Sequence, residues 1–365
     1  MGTAYTPGLA VNGRAAIAKV RRLPLKGEVL VAVGDCVGPE TVVARTELPG
    51  DVTLLRAADK LGVTGDELLG LLRKQVGDTV REGELLAETP GLFGRFFKTR
   101  LESPADGTIE TVTARTGNVS IRRPPKPVRL NAYVRGTVTE VMPGEGAVIE
   151  ARGALVQGIF GIGGERCGTL ALGQALADQP SVVVLPGRVT LDDYRGAADA
   201  GAVGVVAGSV LDADLRAILG RDIGVAITGE ENVPATLIVT EGFGEVAMAA
   251  RTLALLSGLV GREASISGAT QIRAGVIRPE ILVPEPELTA AGVVSLAAET
   301  MILAVGTPVR LIREPWFGRL ASVTALPPEP VEVGTGAKVR VLSATLDDGR
   351  QVVVPRANVE IVAGA

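Results

Sequence analysis

The rhythm of apolar positions changes several times along the chain. From 27 to 53, GEVLVAVGDCVGPETVVARTELPGDV sets short β-branched runs between Gly-Asp and Pro-Gly turns, which predicts short strands. LLRAADKLGVTGDELLGLLRK, 54–74, switches to helical spacing, and Thr64-Gly-Asp-Glu67 is a capping-box sequence that opens a second short helix. Alternation returns in 76–88, 103–121 and 131–160, with a Pro-rich, basic and extended connector, IRRPPKPVRL, at 121–130. From 181 short apolar runs alternate with amphipathic segments: SVVVLPG with TLDDYRGAADAG, AVGVVAGS with VLDADLRAILG, then IGVAITGE, then PATLIVTEGFG with EVAMAARTLALLSG. That order predicts a parallel α/β sheet. ASISGATQIRAGVIRPEILVP, 264–284, is extended again, and 306–362 is a series of short strands with a hairpin turn at Asp348-Gly349.

Two stretches carry resemblances. VGDTVREGELLAE (76–88) and SPADGTIETVTARTGNVSI (103–121) resemble the biotinyl/lipoyl-like, or barrel-sandwich hybrid, fold, in which V-G-D-x-V-x-x-G-x-x-L opens one half and S-P-x-x-G-T-I the other. Gly77-Asp78 and Gly83 supply the turns, and Val80, Leu85 and Leu86 the inward residues. Carrier members of that fold present a modified lysine between the halves. Here ETPGLFGRFFKTRLE stands in that place, and Lys98, its one lysine, lacks the carrier neighbours, so a swinging arm is not expected. The insert holds three of the six phenylalanines, Phe93, Phe96 and Phe97, read either as a hairpin packed on its own domain or as an anchor for another chain. VRLIREPWFGRLASV, 309–323, resembles the KOW motif of SH3-like barrels, many of which bind RNA or proteins of transcription and translation. The resemblance makes Arg313, Trp316 and Phe317 candidate interaction residues, since an aromatic platform beside guanidinium groups suits base stacking.

These patterns imply a multi-domain, β-rich protein with a central α/β domain: a barrel-sandwich hybrid, a parallel α/β sheet and a small SH3-like β-barrel. The boundaries read as an N-terminal segment 1–23, a barrel-sandwich-like β-domain 24–121 with a helical insert 54–75, and a β-rich extension 122–170. An α/β domain 171–285, a linker helix 286–305 and a KOW/SH3-like barrel 306–365 follow.

Composition narrows the chemistry. The 365 residues contain no histidine, which removes imidazole bases, Ser-His and Cys-His pairs and histidine metal sites. No metal and no cofactor are expected. Cys36 and Cys167, the two cysteines, read as buried free thiols in a reducing compartment. Net charge is −4, which does not suggest a nucleic-acid protein. No apolar run reaches membrane-spanning or signal-peptide length, so a cytoplasmic protein without membrane contact is expected. Hydropathy is high for such a protein, and self-association is one outlet for the surplus apolar surface.

GIFGIGGERCGTL, 158–170, poses the sharpest chemical question. A phosphate cradle of the form G-x-x-x-x-G-K-[ST] has its glycines here in Gly163 and Gly168 and its hydroxyl in Thr169, but no lysine. The dinucleotide pattern fails too, because Arg166 stands where its third glycine belongs. A structural turn at a domain junction, with Cys167 buried and a backbone passing close to the glycines, is the expectation. The better ligand candidates follow the α/β strands, where helix N-termini aim backbone donors outward. They are Arg188, Ser209, Thr228, Thr240, Gly242 and Gly244, with Glu230, Glu231 and Glu241 placed to repel an anion or hold a cation. Gln271 and Arg273, in Ser267-Gly-Ala-Thr-Gln-Ile-Arg273, could complete such a site. No residue is assigned a catalytic role. The sequence therefore reads as a non-enzymatic macromolecular binding or scaffolding protein, a homo-oligomer or a protein's partner. Its alternatives are a small-ligand protein or enzyme using the α/β strand ends, and an RNA- or transcription-associated KOW factor.

Overall fold

The computed structural model describes residues 9–90, 98–221, 228–271, 277–288, 294–295, 303–311, 313, 315–316, 319–332, 338–346 and 348–361. The protein is β-rich, and its largest sheet is a mixed one of twelve strands. In chain order these are β1 Val11–Arg22, β2 Cys36–Val37, β3 Gly136–Met142, β4 Gly146–Gln157, β5 Phe160–Ile162, β6 Glu165–Leu172, β7 Ser181–Val189, β8 Ala202–Val210, β9 Thr236–Phe243, β10 Glu263–Ser267, β11 Glu280–Pro284 and β12 Val294–Ser295. Their spatial order is β5-β9-β8-β7-β6-β10-β11-β4-β1-β12, with β3 on β4 and β2 on β3. No helix among the described residues is long and apolar enough to cross a membrane.

Strands β6 to β9 run parallel, and the sequence shows why they sit in the middle. Consecutive side chains point to opposite faces, and here both faces are covered. Val206 and Ile238 face the helix Ala250–Gly258, while their neighbours Val205 and Leu237 face the helices Leu191–Asp199 and Asp212–Leu219. The predicted capping box forms at Thr64 and Glu67, and a second joins Thr190 to Asp193. The run 223–228, read as a strand, lies mostly outside the described residues. Within 286–305, the described pair Val294–Ser295 is a strand parallel to Ala15–Ala16 of β1.

The helical spacing assigned from residue 54 begins later in the structure. Val52–Arg56 is a strand, and helix starts at Ala57. Pairing with Asn118–Arg122 overrides the local pattern there, burying Leu55 while Leu54 faces out.

The region before β4 contains one unit twice. Val33-Gly-Asp-Cys-Val37 and Val76-Gly-Asp-Thr-Val80 fold alike. In each the glycine has positive φ, 95° at Gly34 and 97° at Gly77, and the aspartate accepts the backbone N–H three residues back, Asp35 from Ala32 and Asp78 from Gln75. Gly34 N–H bonds Val138 O and Gly77 N–H bonds Ile109 O, both at 2.8 Å. The pairings Val37 with Gly136 and Val80 with Gly107 match as well. A Cβ on Gly136 or Gly107 would meet the next strand's carbonyl, Glu150 O or Arg122 O, at 2.3 Å in both cases. The second unit is nested between the two halves of the first. By these pairings β1 corresponds to Val52–Arg56, and Val20 to Leu54.

The first unit meets the large sheet over a core that includes Ile17, Tyr133, Leu155 and Leu282. Lys19–Glu280, Arg21–Glu165 and Arg135–Glu263 close its rim. At the other end of the chain, Pro308–Leu311, Leu320–Ala325, Val341–Leu346, Gln351–Pro355 and Val359–Ile361 form a five-stranded antiparallel sheet with its own core.

Candidate functional site

The carboxyl ends of β7, β8 and β9 bring Arg188, Ser209 and Gly242 side by side, in register across three strands. Each is held by the protein itself. Arg188 Nη1 donates to Asp214 Oδ2 at 2.9 Å, and its Nε lies 3.2 Å from Glu245 Oε1. Ser209 Oγ is buried, donates to Gly244 O at 2.7 Å and accepts the Val246 N–H at 3.0 Å. Thr240 Oγ1 donates to Ala207 O at 3.3 Å. Gly242 and Gly244, at φ of 107° and 113°, turn the chain back so that 244–249 folds over the strand ends, where Met248 N–H reaches Pro186 O. A Cβ on Gly208 would stand 2.4 Å from Met248 N, so this closure needs glycine below it.

Thr228 and Gln271 sit apart from Arg188, Ser209 and Gly242, on the outer side of the edge strand β5 and level with the amino-terminal half of β9. Thr228 bonds Gly161, which pairs with Ile238, so four residues of β9, roughly 13 Å at the usual strand rise, lie between that level and Gly242. Here the glycine stretch is answered. Among the described residues, Phe160–Ile162 is the edge strand of the large sheet, paired with β9 on one side only. The backbone that crosses it is Gly268: a Cβ there would lie 2.2 Å from Ile162 O, and one on Gly161 would lie 2.8 Å from Gly268 O. The outward polar groups of the edge are met by side chains. Gly161 N–H donates to Thr270 Oγ1 at 2.9 Å, Gly161 O accepts Thr228 Oγ1–H at 2.8 Å, and Thr236 Oγ1–H reaches Gly164 O at 2.7 Å. Thr228 also accepts the Thr270 N–H at 2.9 Å.

The stretch does cradle an anion, and the anion is a side chain. Glu231 Oε2 accepts the N–H groups of Gly163 at 2.9 Å and Gly229 at 2.8 Å. Burial pushes the Glu231 carboxyl up, and these backbone donors outweigh it, leaving the group below its ordinary range. The geometry is that of an oxyanion nest filled from within. Gln271 pairs through its backbone with Ile277. Arg273 lies outside the described residues, as do Phe93, Phe96, Phe97 and Phe317.

In the C-terminal sheet, Trp316 is half-buried against the core and carries the Arg350 guanidinium over its ring at 4.9 Å. Asp348 ties Arg350 to Arg319, and those side-chain bonds hold its carboxyl well below the usual carboxylate range. Arg313 is exposed. Lys98 is paired with Glu88 at 2.8 Å. The cysteines differ from expectation: both are free, but Cys36 is exposed and Cys167 only half-buried. Burial, with Glu263 nearby, still pushes the Cys167 thiol up to about 11, which leaves it protonated and a poor nucleophile at neutral pH.

Sequence reasoning missed Asp214 and Glu245 as partners of Arg188, and Gly268 as the neighbour of the glycines. An acidic residue in a first helical turn reads as a dipole partner, and nothing in the sequence marks it for an arginine two elements away. Set against known proteins, the chain matches no family model and no curated protein.

Proposed function

We propose that this chain is a macromolecular binding or scaffolding protein that self-associates, built on two nested barrel-sandwich units, an α/β sheet and a KOW/SH3-like barrel. The observation that carries the reading is a recurrence of exposed aliphatic side chains. Val20 and Leu54 correspond in the two units and are 60% and 62% exposed; Val33 and Val76 correspond in the two turns and are 64% and 59% exposed. Single exposed aliphatics need no explanation, but the same positions left bare twice in one chain mark a surface with a use.

Two further features support the reading. Among the described residues, Val52–Arg56 is an edge strand, paired only with Asn118–Arg122, and Leu54 stands on it, so a second copy could extend the sheet with Leu54 against Leu54 about a two-fold axis. A groove of about 710 Å³ in the same region, walled by Pro49, Pro124 and Pro125, exposes Arg81 and Arg123. The polar groups at both poles of the parallel strands are meanwhile engaged with the protein's own atoms. For the RNA alternative, a base would have to displace Arg350 from Trp316.

Native mass spectrometry over a range of concentrations tests the proposal, comparing the unaltered chain with Leu54→Lys/Val76→Lys. The expected result is oligomers that the double variant loses while its circular dichroism stays unchanged. A monomer at every concentration, together with a pull-down that recovers no partner, rejects it.

A further inference from the structure

Among the described residues, Glu241 and Arg310 are the only charged residues in the buried class, each 7% exposed, and they pair with each other. Glu241 stands near the carboxyl end of β9, and Arg310 on the strand Pro308–Leu311 of the C-terminal sheet. Val309 and Leu311 point into that sheet's own core, so alternation directs Arg310 outward, where a lone arginine would be solvated. It is buried because the α/β unit covers it. Arg310 Nη1 lies 3.3 Å from Glu241 Oε2, and Glu241 Oε1 accepts the Ala249 N–H at 3.0 Å, just before the helix Ala250–Gly258. The carboxylate is thus met from one side by backbone at a helix start and from the other by a guanidinium of the C-terminal unit.

We propose that the C-terminal barrel is a docked cap on the carboxyl edge of the parallel strands, latched by Arg310 on Glu241, and that its release opens that edge to ligands bearing a guanidinium or ammonium group. The chemistry of the latch sets the ligand class. Once uncapped, Glu241 presents a carboxylate already oriented by the Ala249 N–H, and a guanidinium or ammonium group is the partner that can take the place of Arg310 there. The loop 244–249 lies beside the latch, and its inward-bonded amides, Gly244 to Val210 O, Val246 to Ser209 Oγ, Met248 to Pro186 O and Ala249 to Glu241, report on the cap.

The test is hydrogen exchange at those four amides with small-angle scattering of the full chain, in Arg310→Ala. Exchange should rise by about tenfold or more as the loop opens locally, and the radius of gyration should increase. Methylguanidinium should bind folded Arg310→Ala in a calorimetric titration, and should not bind Glu241→Gln/Arg310→Ala. Unchanged exchange and dimensions in folded Arg310→Ala overturn the latch, and absence of methylguanidinium binding to that variant overturns the ligand class. Should Arg310→Ala not fold, Arg310→Lys keeps the charge without the planar fork. Faster exchange in that variant supports the latch, and exchange at the unaltered rate overturns it. The self-association surface is elsewhere, so neither result depends on it.

Discussion

The two poles of the parallel strands solve one problem by different physics. Each pole exposes backbone and side-chain polar groups that must find partners once covered. The amino pole uses close backbone approach: glycines let Gly268 cross the edge strand, threonine hydroxyls take its outward groups, and one carboxylate, Glu231, fills the remaining nest. The carboxyl pole uses charge, with Arg188 between Asp214 and Glu245, and Glu241 against Arg310. Geometry fixes the first, and it has no room to open. Ion pairs fix the second, and ion pairs can be exchanged for others, which is why a releasable cap belongs at that pole.

Glycine substitutions break this contrast most sharply. Gly268→Val puts a Cβ 2.2 Å from Ile162 O, 2.5 Å from Ile162 C and 2.6 Å from Gly163 O, all backbone atoms that cannot turn aside. A loss of about 3 kcal/mol or more in denaturant unfolding is expected. A loss below 1 kcal/mol would show that the crossing can relax.

Glu231→Gln is expected to cost roughly 1.5–3 kcal/mol, since it removes a charged acceptor from two backbone donors. Its effect must also depend on pH. The folded-state Glu231 value is depressed, so its stabilisation is complete above the ordinary value of 4.5 and fades as the pH falls through the lower, folded value. The difference between Glu231→Gln and the unaltered chain should therefore shrink on acidification below that value. A difference that stays constant between neutral and strongly acidic pH would remove the carboxylate from this account.

The smallest effect has the opposite sign. Gly187, at the carboxyl pole, has open space where a Cβ would stand and no positive φ. Gly187→Ala should stabilise by about 0.4–1 kcal/mol through the unfolded chain, measured in the same denaturant series. Destabilisation there would mean that the carboxyl pole, too, depends on close backbone contact.

Much of this was legible because it is local. The Thr64–Glu67 box, the Asp348-Gly349 turn and the alternation of β-strands with helices after 181 depend on residues within a few positions of one another. The repeat was also in plain sight, as Val-Gly-Asp-x-Val at 33–37 and again at 76–80, with Gly-Thr-Val at 136–138 answering Gly-Thr-Ile at 107–109. The candidate site was legible only in pieces. Arg188, Ser209 and Gly242 do meet, while Thr228 braces the outer side of the edge strand β5, because strand order and direction decide which loops share an end of a sheet.

The sequence by itself determined the turns, the caps, the faces of the strands and the absence of imidazole chemistry, since each follows from residue type and short-range spacing. Tertiary structure alone decided that a carboxylate fills the glycine nest and that Arg310, outward on its own strand, is buried on Glu241. Those pairings join residues 68 and 69 positions apart, where no local pattern carries the information and only packing brings the charge and its donor together.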